Sequence, residues 1–315
     1  MKVSEKLKKI WFAALMAAAG VNVVLWSLTW RLDYDASPGV FGRGMLSGFA
    51  VAACIVCVVL SLMPVFFSGK GNTEESDLLG DTSRRGSEAA ALASCFIIAS
   101  SILTMLKAPD GGNRAIAAIT LALSVPSALY FAAVCLSRNQ SSKLICFCAP
   151  FPSIWGIFMT LYHYLSTARA INDPIKVVCQ FIPVGIMLYS AAEMKTRLSQ
   201  CTKSYFFTTR AVLVTTGSVA LSLVIDSLIT AVCSGISRIG GDVIPELLVF
   251  AVRPHELTLA VAGLGVALYS LSRKSRPATG SELSEPENDG DETESITEKD
   301  VTEEATEENV NGETT

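Results

Sequence analysis

Residues 45–67 read MLSGFAVAACIVCVVLSLMPVFF, a run of 23 positions without one charged side chain. At about 1.5 Å of rise per residue, a helix of this length crosses the ~30 Å hydrocarbon core of a bilayer. Working outward from it, apolar runs of spanning length recur at roughly 10–30, 89–106, 115–137, 144–167, 176–193, 211–234 and 247–271. The sixth of the eight (176–193) is short, and the fifth and eighth are interrupted by proline and charge. Backbone in lipid must satisfy its own hydrogen bonds, which selects helices. A barrel would need alternating segments of ~10 residues, and the sequence has none. The expected fold class is therefore all-α, a polytopic transmembrane bundle of about eight helices.

Half of the 315 residues are hydrophobic and only 17% are charged, against about a quarter in ordinary globular domains. The formal charge of −4 averages two unlike parts. Residues 1–276 carry 24 Lys and Arg against 15 acids, a net of +9, whereas 277–315 carry 14 acids and only Lys299. Positively charged loops face the cytoplasm. With the N-terminus inside, the inner flanks hold 16 basic residues, among them Lys70, Arg84, Arg138, Arg197, Arg210 and Arg273. The outer flanks hold seven, Arg31, Arg43, Lys107, Arg114, Arg169, Lys176 and Arg238. The bias predicts a multi-pass protein of the plasma membrane with both termini cytoplasmic. The basic start and Ala17-Ala18-Ala19 resemble a signal peptide, yet the apolar run continues to Trp30, so the first span is read as uncleaved.

Two parts follow. Residues 1–276 form the helical membrane domain, and 277–315 form an acidic tail with no aromatic residue and too little apolar surface to offset its ordering entropy. The tail is expected to be disordered, either a solubilising extension or a docking segment for a protein partner. The internal stretch Ser68–Glu88 is likewise polar and reads as a flexible loop.

Eight of the nine cysteines lie in apolar spans, and Cys201 lies in a cytoplasmic connection. Cys54-x-x-Cys57 lacks the βαβ context of a redox motif, so the cysteines are read as small packing residues without disulfides. Small residues at four-residue spacing (Gly44/Gly48/Ala52, Ala13/Ala17, Ala14/Ala18, Gly263/Ala267) suit close helix packing. Pro126, Pro150, Pro152, Pro183 and Pro254 interrupt four spans; each lacks a backbone donor. The run Cys148-Ala-Pro-Phe-Pro152 places a proper start of the fifth helix near Ser153.

The chemistry concentrates in the outer half. Thr215, Ser218, Ser222, Asp226 and Thr230 recur at spacings of 3, 4, 4 and 4 on one face of the seventh span. Asp226 lies about 12 Å inside the predicted outer end. A charge at such depth costs roughly 2.5–3.5 kcal/mol even on the lenient insertion scale, so it needs a proton, a partner or water. The candidate polar site comprises Asp226, Ser222, His163, Arg253, His255 and Glu256, with Arg253 the expected partner of Asp226. If the eighth helix starts at Pro254, its flanking charges lie at the interface; if it starts near Glu246, they lie some 10 Å deep. The histidines and acids come from three helices with no ligand spacing, so no metal site is expected. No cofactor, catalytic or nucleic-acid signature is present: HExxH, GxSxG and a phosphate-cradling glycine loop are all missing. That leans away from an enzyme and from a nucleic-acid partner.

Pro152-Ser-Ile-Trp155, Leu161-Tyr-His-Tyr164, Ile171-Asn-Asp-Pro174 and Met187-Leu-Tyr…Ala192-Glu-Met-Lys-Thr-Arg197 resemble a pattern in uncharacterised multi-pass membrane proteins of clostridial (Firmicutes) bacteria. The resemblance covers about a fifth of the chain. It implies a bacterial plasma membrane and carries no activity. Three function classes stay open: a translocator or membrane-embedded sensor of a small polar solute or ion, a structural or assembly protein, and an intramembrane enzyme.

Overall fold

The apolar runs do form helices, and their ends are set by proline, capping and charge. The computed structural model describes residues 5–32, 34–35, 40–41, 45–67, 83–109, 111–136, 143–167, 174–198, 201–238 and 254–273. The acidic tail and Arg253 lie outside these residues. The helices are α1 (Glu5–Leu32), α2 (Met45–Leu62), the single turn α3 (Pro64–Phe67), α4 (Arg84–Lys107), α5 (Gly112–Leu136), α6 (Lys143–Cys148), α7 (Phe151–Thr167), α8 (Pro174–Arg197), α9 (Lys203–Arg238) and α10 (Pro254–Ser272). Between α1 and α2, β1 (Tyr34–Asp35) pairs antiparallel with β2 (Val40–Phe41), Tyr34 opposite Phe41.

Among the described residues, seven helical stretches are long and apolar enough to cross a bilayer: Lys9–Leu32, Met45–Phe66, Arg84–Lys107, Gly112–Leu136, Lys143–Ser166, Lys203–Cys233 and Pro254–Ser272. They correspond to seven of the eight predicted runs, and the chain is a multi-pass integral membrane protein. The remaining predicted run, the sixth (176–193), falls in α8, which has 24 residues. Gln180, Glu193, Lys195 and Arg197 lower its apolar content.

Helix ends depart from the predicted runs for local reasons. Helix α4 starts five residues earlier than the apolar run, at Arg84, because the Ser83 side chain caps it by accepting from the Gly86 amide. The loop predicted over Ser68–Glu88 is shortened accordingly. The fifth run is divided at Ala149-Pro150 into α6 and α7, and α7 starts at Phe151, with Pro152 in its first turn, where a missing amide donor is harmless. Pro126 and Pro183, by contrast, sit inside continuous helices. The described part of α10 begins at Pro254.

Consecutive long helices run antiparallel, which gives the bundle two ends. At one end the start of α1 meets the end of α2, with Trp11 Nε1 donating to the Leu60 carbonyl at 2.8 Å. There too the start of α4 meets the end of α5, where Ser87 Oγ donates to the Cys135 carbonyl at 3.0 Å. At the other end the last turn of α4 meets the start of α10, Lys107 Nζ lying 3.2 Å from His255 Nδ1. Helix α9 is the long strut of the bundle, packed by α1, α2, α8 and α10. Helix α10 is also sandwiched against α4.

The inside is close-packed through small residues. A Cβ on Gly265 of α10 would lie 3.0 Å from the Ala93 amide nitrogen and 3.1 Å from the Ala89 carbonyl of α4; one on Gly185 of α8 would collide with Thr216 of α9. Of the predicted small-residue faces, Gly263 packs against Ile182. Gly48 faces open space, and Ala13, Ala14 and Ala17 are not buried. Helix α1 buries Leu15, Ala19, Asn22, Trp26, Thr29 and Trp30 instead. Phe49, Val51, Ile55, Val58, Val59 and Leu62 of α2 point outward, the face a lipid-bathed helix requires.

Candidate functional site

Two polar clusters lie inside the bundle, one toward each end. The first is the stripe on α9. Thr215, Ser218, Ser222 and Asp226 are all buried, and each meets a polar group from α1 or α2. Ser61 and Thr215 hydroxyls lie 3.1 Å apart. Asn22 Nδ2 donates to Ser218 Oγ at 2.8 Å, and Trp30 Nε1 to Ser222 Oγ at 3.2 Å. Arg31 Nε forms an ion pair with Asp226 Oδ1. Its Nη2 donates to the Asp226 carbonyl and to Thr230 Oγ1, each at 2.6 Å. Asp226 Oδ2 has no hydrogen-bond partner among the described residues.

The expected partner, Arg253, lies outside the described residues; the arginine observed on Asp226 is Arg31. The sequence placed Arg31 among the outer flanking charges. A signal was present all the same: Asn22, Trp26, Thr29 and Trp30 share one face of the first span, and that face is the one which docks on the stripe.

The other predicted site residues are distributed along the same end. His163 is buried on α7, its backbone carbonyl accepting from Ser166 Oγ at 2.9 Å. His255 Nε2 lies 3.7 Å from Glu256 Oε1, and its other ring nitrogen faces Lys107. Although Glu256 belongs to the first turn of α10, it is buried, so the start at Pro254 does not leave its carboxylate at an open interface. Among the described residues, no three of His, Cys, Asp and Glu come together as a metal site would require.

The second cluster was not anticipated. Glu193, in the last turns of α8, is 0% exposed. Three phenols converge on its carboxylate. Tyr130 of α5 donates to Oε2 at 2.5 Å, while Tyr189 of α8 and Tyr269 of α10 donate to Oε1 at 3.1 and 3.2 Å. Arg273, one residue beyond α10, places Nη1 3.2 Å from Oε1, and its Nη2 donates to the Tyr269 hydroxyl. The rings pack edge to face, Tyr189 against Tyr269 at 6.4 Å and Tyr269 against Phe131 at 5.9 Å between centroids, which fixes the direction of each hydroxyl.

Two further guanidinium groups flank this core. Arg197 lies over the Tyr130 ring, 5.8 Å from its centroid, within electrostatic reach of Glu193 and Arg273. Arg210 of α9 donates Nη2 to the Leu271 carbonyl at 3.2 Å and faces Tyr189 and Arg273. The described cluster thus holds one carboxylate and three guanidinium groups. Nearby, outside the apolar segments, burial pushes the Cys201 thiol above its ordinary pKa, against the opposing pull of Thr196 and Lys195.

Sequence reasoning missed this cluster because Arg197, Arg210 and Arg273 are ordinary inner-flank charges by position. Glu193 falls at the last residue of a predicted span and reads as an interfacial acid. Only folding shows that four helix ends bring these groups to one point. The available signal was chemical. Tyr189 and Glu193 are four apart, so they share a helix face.

Comparison with models of known protein families, with curated proteins and with solved structures finds no match.

Proposed function

We propose that this membrane protein binds a small polar or ionic solute, as a translocator or a membrane-embedded sensor, at the Glu193 cluster. The observation that carries this reading is the buried meeting of Glu193, three tyrosine hydroxyls and three arginines from four different helices. Holding helices together requires a paired charge at most. Ionisable groups buried inside membrane bundles mark solute and ion sites, and here hydroxyl and guanidinium donors from four helices converge on one carboxylate. Saturable binding to the purified protein tests it, using a panel of cationic, neutral and anionic small solutes read by calorimetry. Binding of any one that is lost in Tyr189→Phe is expected; a panel with no binder would overturn the reading.

A structural reading is favoured for the Asp226 cluster specifically. There the stripe from Thr215 to Thr230 meets polar groups of α1 and α2 at every turn, which is what a helix-locking seam needs. We assign the Glu193 end to the cytoplasmic face of a bacterial plasma membrane, both termini inside. The 16-to-7 bias of flanking basic residues and the resemblance to clostridial membrane proteins support this. Single cysteines at Asp110 and Gly240 should then react with impermeant thiol reagents on intact cells, and those at Asn72 and Asn139 should not. The reverse pattern would invert the assignment.

A further inference from the structure

We infer that His255 is a pH-operated latch between α4 and α10, at the end of the bundle opposite the Glu193 cluster. The latch works without any bound solute. His255 lies in the first turn of α10, with its side chain 13% exposed. Its Nδ1 lies 3.2 Å from Nζ of Lys107, the exposed last residue of α4. Its Nε2 lies 3.7 Å from Oε1 of Glu256, whose side chain is 2% exposed. One imidazole thus stands between a cation of a neighbouring helix and a buried acid of its own.

The protons on these groups decide what the latch can do. A lysine ammonium has three donors and no acceptor, so in this contact the ring accepts at Nδ1. A neutral imidazole that accepts at one nitrogen carries its proton on the other, here Nε2, which faces Glu256. Protonating the ring puts an N–H on Nδ1, against the Lys107 ammonium. Two donors of like charge then meet where a hydrogen bond was. The same proton turns the Nε2 contact into an ion pair with the Glu256 carboxylate. With the uptake of one proton His255 changes hands, from α4 to its own helix. Histidine is the side chain whose ordinary titration, near about 6.5, falls in the physiological range, and this ring is partly open to water.

From α4 the group facing the ring is Lys107, and from α10 itself it is Glu256. Asp226 and Arg31, charges of the same end, engage each other. Helices α8 and α9, also packed on α10, meet it at Gly263 through Ile182 and Ala220, and at Ala267 through Gly217. Those contacts lie about two turns or more beyond the ring. Further contacts of His255 and Glu256 set the pH of the change and leave the exclusion at Nδ1 as it is. Helix α10 bears Tyr269 at its other end and is followed by Arg273, so the latch sits on the helix that completes the Glu193 cluster. In the orientation proposed above, it reads the acidity outside the cell.

The test is hydrogen exchange of the full-length protein in a neutral detergent, read by mass spectrometry at pH 8 and pH 5 and corrected for the intrinsic pH dependence of exchange. In wild type, the amides of residues 258–262 in α10 should exchange about fivefold faster at pH 5, the scale of one close like-charge contact in water. Amides around Asn22 and Ser218, on the seam between α1 and α9, should keep their protection. His255→Gln removes the titrating group and Lys107→Met, at an exposed position, removes its partner; in both, the two pH values should give the same protection at 258–262. Equal protection of wild type at pH 8 and pH 5 would overturn the latch. So would a loss at pH 5 that survives in His255→Gln or in Lys107→Met. A loss that persists in His255→Gln and vanishes in Glu256→Gln would assign the switch to the carboxylate and sink the role given to the ring.

Discussion

The two polar clusters differ in one simple respect. At the Asp226 end, one carboxylate meets one guanidinium, and the surrounding hydroxyls pair across α1, α2 and α9. At the Glu193 end, one carboxylate meets three guanidinium groups and three phenols. A matched pair inside a bundle stabilises the docking of its helices and asks for nothing more. The Glu193 end gathers more ionisable and hydroxyl groups at one buried point, the kind of setting in which we propose a ligand binds. The same residue types are thus combined in different ratios at the two ends among the described residues.

The largest effect should come from the Glu193 end. Glu193→Gln leaves Arg273 without its counter-ion in a fully buried setting, a change that costs about 3–5 kcal/mol when a buried pair loses one partner. Thermal unfolding of the detergent-solubilised protein should show a severe loss, and pairing the change with Arg273→Met should recover much of it. A Glu193→Gln protein as stable as wild type would remove the distinction between the ends.

At the matched end, Asp226→Asn and Arg31→Gln should each destabilise, and the double variant should be milder than their sum. The coupling expected for a contacting pair is about 1–3 kcal/mol, smaller than the first effect because Arg31 is partly exposed. Strict additivity would mean that the pair does not hold α1 to α9. It would leave Arg253 as the residue to examine.

Much of this contrast was hidden in the sequence for a physical reason. Apolar length is a local property, so seven spans could be read directly from runs such as 45–67. The stripe from Thr215 to Asp226 was equally legible because helical periodicity places it on one face. What covers that face is not local. Arg31 lies 195 positions away from Asp226, and positive-inside counting treats it as a flank. The Glu193 cluster was least legible: Tyr130, Glu193, Arg210 and Arg273 come from four helices. Each of its arginines has an adequate solitary explanation as a cytoplasmic charge. The visible trace was Tyr189 and Glu193, four apart near the end of 176–193 and so on one helix face.

Packing between the ends offers a smaller test. Gly185→Ala places a methyl group against Thr216 at the α8–α9 contact that supports Glu193, and overpacking of this kind costs about 1–3 kcal/mol. Gly48→Ala, facing open space, should stay within about 0.5 kcal/mol. Equal losses at both positions would show that the α8–α9 seam is not the tight one.

The smallest expected effect concerns Cys201. Burial favours its neutral thiol, so alkylation of the folded protein should be slow near pH 8 and accelerate as pH rises past the ordinary thiol range, about 8.5. Because folding raises this pKa, the thiol's contribution to stability is present at neutral pH and lost as pH climbs above the unfolded value. Rapid labelling at pH 8 would place Cys201 in water and loosen the Glu193 end.

The most direct measurement is thermal unfolding of three proteins across a titration with the panel solutes at constant ionic strength: wild type, Asp226→Asn/Arg31→Gln and Tyr189→Phe. A ligand that binds the folded state raises the unfolding temperature as its saturation increases. The account predicts that at least one solute raises Tm for wild type and for the double variant alike, whatever their starting stabilities, and leaves Tyr189→Phe unmoved. A panel that moves no Tm, a response that survives in Tyr189→Phe, or one that disappears when the Asp226–Arg31 pair is removed, would contradict it.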